Sequence, residues 1–269
     1  MSERPWGWPT GDIPPGMPGP GEITAEWALG GASGKGIHVA IIDSGVDADH
    51  PRLSGGVQHW VTVEEGPDGV TVLESRHVDL FGHGTACAGI IRSLAPECEI
   101  SSVRVLGPRL KGRGEVFIAG LRWALEHGAR VCNLSLGTTR KEHAPDLYAL
   151  ADEAYFRNVA LVTAANNMPV ASFPSLFSAA ISVAAHGDGA AAGHYYNPNP
   201  PVEFGAPGMD IEVLWAGGGT LTATGNSYAA PYISGLSAAI LSAHPQLTVF
   251  ELKTVLRALA KNVAGATAS

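Results

Sequence analysis

Cysteine is scarce: Cys87, Cys98 and Cys132 are the three in 269 residues. Their number is odd and their spacing unpatterned, which excludes a disulfide framework or a zinc finger and leaves buried thiols as the expectation. Long apolar runs are also missing, and no stretch approaches the roughly 18 residues that a membrane-spanning helix needs. Basic residues are few, 17 Lys and Arg against 25 Asp and Glu for a net charge of −8. That balance argues against a general affinity for nucleic acid or an anionic membrane. Charged residues make up only 16% and hydrophobic ones 45%, which excludes a disordered chain or a coiled coil. Residues 1–23 carry charges and prolines where a secretory leader would have an unbroken apolar core. A cytoplasmic protein is the expectation.

What the chain does have is glycine, 34 residues of it, and short β-branched runs. Residues 1–22, rich in Pro and Gly, read as an extended arm, and residues 23–269 as one domain with one core. Residues 38–42 (His38-Val39-Ala40-Ile41-Ile42) form a buried strand, too short for a helix. Residues 103–106, 130–136, 159–163 and 180–184 look alike. Helical patterns alternate with them. Residues 115–127 end at Gly128, a C-terminal stop. Leu147, Leu150, Ala151, Ala154 and Tyr155 share a helical face. Thr248 and Glu251 make a capping box ahead of Val249, Leu252, Val255, Leu256 and Leu259. Strand–helix alternation predicts an α/β fold: three layers, with a mostly parallel sheet between helices. In such sheets functional groups gather at the carboxyl ends of strands. Asp43, Asn167 and the Ser135-Leu136-Gly137 segment all fall there.

Three motifs carry chemistry. Ile41-Ile42-Asp43-Ser44-Gly45 puts an acid at a strand end. Gly82-His83-Gly84-Thr85-Ala86-Cys87-Ala88-Gly89 puts a histidine at the start of a small-residue helix. Gly225-Asn226-Ser227-Tyr228-Ala229-Ala230-Pro231 puts a serine at the positive end of another helix, where developing negative charge is favoured. A hydroxyl attacks an amide only when a base takes its proton and donors hold the oxyanion. Each residue alone has a plainer explanation, Asp43 as a turn former and Ser227 as a helix cap. Together, in the order Asp, His, Ser, the motifs resemble those of the subtilisin-like serine proteases, the subtilase family of S8 peptidases. The resemblance runs from about residue 22 to residue 263. It includes Ser102-Val103-Arg104-Val105-Leu106-Gly107, Cys132-Asn133-Leu134-Ser135-Leu136-Gly137, Ala164-Ala165-Asn166-Asn167 and Ile240-Leu241-Ser242-Ala243-His244-Pro245.

The resemblance implies a serine endopeptidase of three-layer αβα fold. It makes Ser227 the nucleophile, His83 the base and then the acid, and Asp43 the residue that orients the imidazole. Asn167 would supply the oxyanion-hole amide beside the Ser227 backbone N–H. Lys111, Gly112 and Arg113, opposite Ser135, Leu136 and Gly137, would clamp an extended substrate between two edges. The expected partner is a peptide or protein substrate, with no nucleic acid, no membrane, no cofactor and no catalytic metal; the oligomeric state is left open. Processing of one precursor peptide is the favoured role. A peptide ligase or macrocyclase on the same site, and a silent peptide-binding pseudoenzyme, stand as alternatives.

Other features are weaker or depart from the family. Gly30-Gly31-Ala32-Ser33-Gly34-Lys35-Gly36 is a poor phosphate loop, since Gly36 replaces the Ser or Thr and a strand follows. His77, Asp79 and His83, with Asp47, Asp49 and His50, match no zinc spacing. Between Gly89 and Val103 the chain is short where many secreted members bind calcium, so the resemblance implies no such site here. Residues 168–174 are short where members wall the primary specificity pocket. Asn226 and Tyr228 flank the serine where Thr and Met are usual. Trp6 and Trp8 mark the arm as either a tail or a segment over the cleft. Arg109, Lys111 and Arg113 cluster on the presumed substrate edge of an acidic chain, which suits acidic peptides if the charges are more than a solvated face.

Overall fold

A computed structural model describes residues 18–19, 22–53, 55–67, 69–189 and 193–264. The tryptophan-bearing part of the N-terminal arm lies outside them. The central strand, β1 (His38–Asp43), decides the layers. Successive side chains of a strand point to opposite faces. Val39 and Ile41 therefore join one apolar cluster, and Ala40 and Ile42 the other. Both faces of β1 are dry, as the continuous apolar run implied.

Around β1 the sheet is nine-stranded, in the order β3-β2-β4-β1-β5-β6-β7-β9-β8. Its parallel body comprises β2 (Val57–Gly66), β4 (Glu99–Arg104), β1, β5 (Val131–Leu134), β6 (Ala160–Ala164), β7 (Ile181–His186) and β9 (Phe204–Pro207). The outermost strands, β3 (Gly69–Glu74) and β8 (Tyr195–Tyr196), run antiparallel. A separate hairpin joins β10 (Ile211–Trp215) to β11 (Gly219–Ala223). On one face lie α1 (Ala25–Leu29), α2 (His83–Leu94), α5 (Asn226–Ala243) and α6 (Val249–Leu259), whose Ile91, Ile233, Ile240 and Val255 are fully buried. On the other lie α3 (Gly114–Glu126) and α4 (Ala144–Phe156), with Leu121, Leu147 and Leu150 against Ile42 and Leu161. A short α7 (Lys261–Ala264) follows α6. Each such buried aliphatic contributes roughly 1.5–3 kcal/mol. Among the described residues no helix is long and apolar enough to cross a membrane.

Local signals behave as their chemistry requires. Thr248 and Glu251 close the capping box of α6. Gly128 takes φ +78° just past α3, a conformation that costs a side-chain-bearing residue. The strand expected at 103–106 begins earlier, at Glu99, because Ser101 and Ser102 are fully buried rather than loop-like. Their hydroxyls are paired with His38 Nε2 at 2.6 Å and His77 Nε2 at 2.8 Å. Only residues 95–98 separate α2 from β4.

Candidate active site

β1 has β4 on one side and β5 on the other, reached through α2 and α3 on opposite faces, and in open α/β sheets sites form at the carboxyl ends of strands at such a switch in topology. Asp43 is the last residue of β1 and fully buried. One of its oxygens accepts the Ser44 N–H at 2.7 Å, and both lie 2.9 Å from His83 Nδ1. His83 Nε2 in turn lies 2.9 Å from Ser227 Oγ. The three residues expected to act together are thus joined in series, though Ser227 lies 144 positions from His83.

Glycines allow that approach. Gly82 holds φ +115°, and a Cβ there would meet the Trp215 ring; one on Gly84 would strike the Gly45 carbonyl. The start of α2 can therefore press against the turn after β1. Asp79 fixes the same junction. Its carboxylate accepts Ser44 Oγ at 2.8 Å, the Phe81 and Gly82 amides at 3.0 and 2.8 Å, and Thr85 N and Oγ1 at 2.9 and 2.6 Å. The sequence offered Asp79 only as a poor metal ligand; here it stabilises the positive end of α2. The other acids and histidines of that group are also engaged. His77 pairs with Thr62 and Ser102, His50 with the Gly219 carbonyl, and Asp47 Oδ2 accepts the Gly217 N–H.

Burial disfavours a charged His83 ring, yet the Asp43 carboxylate outweighs it and raises the His83 pKa well above the ordinary 6.5. Tyr228, 9% exposed, lays its ring 5.1 Å from that of His83. Cys87, one helical turn on from His83, has Sγ 3.9 Å from Asp43 Oδ2 and 4.0 Å from His83 Nδ1. All three cysteines are free and buried. Burial pushes the thiols up, Cys98 to about 11 and Cys132 to about 12, so these two are neutral at ordinary pH. Among the described residues, Asp43, His83 and Cys87 are the one group close enough to share a metal ion, their ligand atoms within 4.8 Å of one another. An ion there would take the carboxylate and Nδ1 away from each other.

Ser227 is the second residue of α5, where backbone N–H groups have no helical acceptor. Asn167 stands beside it. Its Oδ1 accepts the Asn226 N–H at 2.9 Å, which leaves Nδ2 to donate elsewhere. A point at the Gly225 Cβ position is 3.4 Å from Ser227 Oγ and 3.7 Å from Asn167 Nδ2. The amide and the hydroxyl therefore face common space. Asn226 fastens the helix end to the sheet. Its side chain donates to the Ala165 and Asn166 carbonyls at 3.2 and 3.1 Å and accepts the Ala185 N–H at 2.8 Å.

Pro231 lies inside α5 and has no N–H to give the Ser227 carbonyl four residues back. Ser135 Oγ supplies that bond at 2.7 Å. Its own oxygen accepts Asn133 Nδ2 at 3.0 Å, and Asn133 Oδ1 accepts Ser234 Oγ at 2.8 Å. The Ser135 side chain, expected at the substrate edge, is thus turned under α5.

A cleft of about 760 Å³ opens over these groups. His83, Asn167 and Ser227 line it, as do both expected edges, Lys111, Gly112 and Arg113 opposite Ser135, Leu136 and Gly137. Arg109 does not line it. Arg113 is held by Glu65 at 2.7 Å. In residues 168–174, Phe173 pairs with Thr138 through backbone bonds of 2.9 and 2.8 Å, which closes the far side of the Gly137 edge.

Comparison with known proteins places the chain in a family. Residues 34–269 match the model of the Subtilase family, Peptidase S8. The chain is 32% identical over 248 residues to "Subtilisin-like protease 10" of Trichophyton verrucosum (strain HKI 0517), covering 86% of this chain and 44% of that protein. It is 30% identical over 226 residues to "Intracellular serine protease" of Paenibacillus polymyxa, covering 77% and 67%. The first relative is thus more than twice as long as the part that this chain spans. Among solved structures, "Sphericase" superposes with a TM-score of 0.73 at 25% identity, over 86% of this chain and 84% of that one. With most of its length matched, a mostly parallel sheet between two helical layers, and Asp, His and Ser in that order at the end of β1 and the starts of α2 and α5, the chain belongs to the subtilase family of serine peptidases.

Proposed function

We propose that the chain is a serine endopeptidase whose domain spans residues 23–269 and whose triad is Asp43, His83 and Ser227. The observation that carries the reading is the hydrogen-bonded series from Asp43 through both ring nitrogens of His83 to Ser227 Oγ. Ser227 Oγ attacks the scissile carbonyl carbon while His83 Nε2 takes its proton, and Asp43 stabilises the imidazolium. Asn167 Nδ2 and the Ser227 N–H hold the oxyanion. The C–N bond then breaks, and His83 returns the proton to the leaving amine. Water, activated by the same ring, attacks the acyl-enzyme and releases the acid. Lys111, Gly112 and Arg113 bind one side of an extended peptide through the backbone, and Ser135, Leu136 and Gly137 the other.

The test is covalent labelling by a serine-directed phosphonate. We expect one adduct, on Ser227, and cleavage of a peptide library by the wild type but not by Ser227→Ala. Product masses that include one added water mark hydrolysis; masses without it mark transfer to an amine. No adduct and no turnover would leave a peptide-binding protein. Cytoplasmic processing of a precursor peptide is our reading of the role. Its supports are the likeness to a relative named as intracellular and the cations along the cleft of an acidic chain.

A further inference from the structure

Tyr228 has no part in the chemistry above, yet it touches the centre of it. It follows Ser227 directly and is the first buried residue of α5. Ala86, Val213 and Ala223 share a small apolar cluster with it, and Ile90, Ile211, Trp215 and Leu221 pack around them. Residues of α2 and of the β10–β11 hairpin therefore hold the ring in place. Its centroid is 5.1 Å from that of the His83 imidazole, with the two planes inclined at 52°. A point at the Gly225 Cβ position is 3.6 Å from Tyr228 Cδ2 and 3.4 Å from Ser227 Oγ. The same ring thus borders the space over the serine hydroxyl.

The contact with His83 is made by the ring and not by the phenol hydroxyl. Both imidazole nitrogens are already occupied, Nδ1 by Asp43 and Nε2 by Ser227. Burial raises the phenol above its ordinary 10, so Tyr228 is neutral at ordinary pH and supplies no charge of its own. What it does supply is a quadrupole, negative on the ring face, which attracts a cation within about 6 Å of the centroid. The 52° tilt falls well short of perpendicular edge-on contact, so part of that face looks at the imidazole. His83 is only 5% exposed, and burial by itself disfavours its charged form. Among the described residues, the titratable groups that face the imidazole are Asp43 on β1, Cys87 on its own helix and Tyr228 on α5. Asp43 and Cys87 both meet it at Nδ1. Tyr228 alone of the three meets it ring to ring.

We propose that Tyr228 is a positioning residue, whose ring fixes the plane of the His83 imidazole and stabilises the imidazolium that forms when Ser227 gives up its proton. The inference rests on the reading of Asp43, His83 and Ser227 as a working triad. The competing account is that the ring only fills space between α2, α5 and the hairpin.

The experiment changes the electrons of the ring at nearly constant shape. Position 228 receives phenylalanine, then phenylalanines with one, three and five ring fluorines, which weaken the quadrupole stepwise. The dependence of kcat/KM on pH is followed through the series. Tyr228→Phe should stay within about threefold of the wild type, because the ring face is kept. From there to five fluorines, kcat/KM above the acid midpoint should fall roughly tenfold in graded steps, the scale of a desolvated cation–ring contact. The midpoint should drop by about one pH unit, since a ring that no longer favours the imidazolium lets its proton go more easily. Below the midpoint the resting imidazole is already charged and makes the same contact, so the loss should vanish there. An equal loss at every pH, or no graded effect of fluorine, leaves packing alone and overturns the proposal. So does a midpoint that rises, which would set the imidazole at the positive edge of the ring. Proton NMR titration of His83 through the same series in Ser227→Ala separates this inference from the one beneath it. A His83 pKa that falls with fluorination, while the wild type shows no turnover, removes the peptidase and keeps the ring contact. Turnover with a His83 pKa indifferent to fluorine removes the ring contact alone.

Discussion

At the scale of single residues the site depends on two atoms whose roles can be measured. Asn167 Nδ2 is left free because its Oδ1 is occupied by the Asn226 amide, so Asn167→Ala should remove one oxyanion donor together with the acceptor of the Asn226 N–H. The loss known for the corresponding amide of a subtilisin, roughly 10²–10³ in kcat, sets the expected size. Steady-state kinetics with KM near the wild-type value would agree; unchanged kcat would not. In the proposed mechanism His83 must be neutral to accept the serine proton. Its pKa is raised, against burial, by the Asp43 carboxylate. Activity should therefore rise with pH through a midpoint above 6.5, since below it the ring already holds the proton. Asp43→Asn removes the opposing charge and leaves burial to act, so the midpoint of the residual activity should fall. A pH–kcat/KM profile of both proteins decides this. These residues were legible because their motifs are local. Cys87 was less so, although its spacing from His83 is that of neighbours on one helical face. Without a structure nothing showed that this face also met Asp43.

At the scale of elements, α5 is a helix with a gap in its ladder. Pro231 leaves the Ser227 carbonyl without its helical donor, and Ser135 at the end of β5 fills the place. Ser135→Ala should leave that carbonyl with only the weak Cys87 Sγ donor at 3.8 Å, strand Asn133 Nδ2 and lower stability by about 1–3 kcal/mol. Urea unfolding followed by circular dichroism measures it; a cost below about 0.5 kcal/mol would mean that the Ser227 carbonyl finds another donor. Half of this arrangement is readable in sequence, since Pro231 sits in the serine motif. The other half comes from 92 residues away, and only the sheet brings it near. The same holds for strands. Those buried on both faces showed as apolar runs, whereas β3 is exposed along its whole length and offers no pattern. The start of β4 was hidden by two serines whose histidine partners lie on β1 and in the segment after β3.

Over the whole molecule, strand–helix alternation fixed the class of fold early because a parallel sheet needs helices on both faces. The sequence did not reveal which polar groups the core would enclose. His77, only half-buried, shows the effect of partial enclosure: burial first, then the charge of Arg104, lowers its pKa to about 4. Folded protein binds that proton only near pH 4, while the unfolded chain binds it near 6.5. This contribution to stability is complete above pH 6.5 and is lost as the pH falls through 4. His38 and His194, also lowered chiefly by burial, act in the same direction. Unfolding midpoints measured at pH 7, 5.5 and 4 should fall with acid, and His77→Gln should flatten part of that fall. An identical slope in the variant would assign the acid sensitivity to the other histidines.

The distance between His83 and Ser227 along the chain has a consequence in time as well as in space. Translation delivers the acid first, the base 40 residues later and the nucleophile 144 after that. A growing chain that already exposes β1 and α2 holds an acid and a base with no hydroxyl to activate. The hydroxyl arrives on α5, whose Ala229, Ile233 and Ile240 belong to the core. Docking of that helix therefore completes the interior and the proposed triad in one event, and a ribosome-bound fragment that ends before it lacks the nucleophile that the proposal requires.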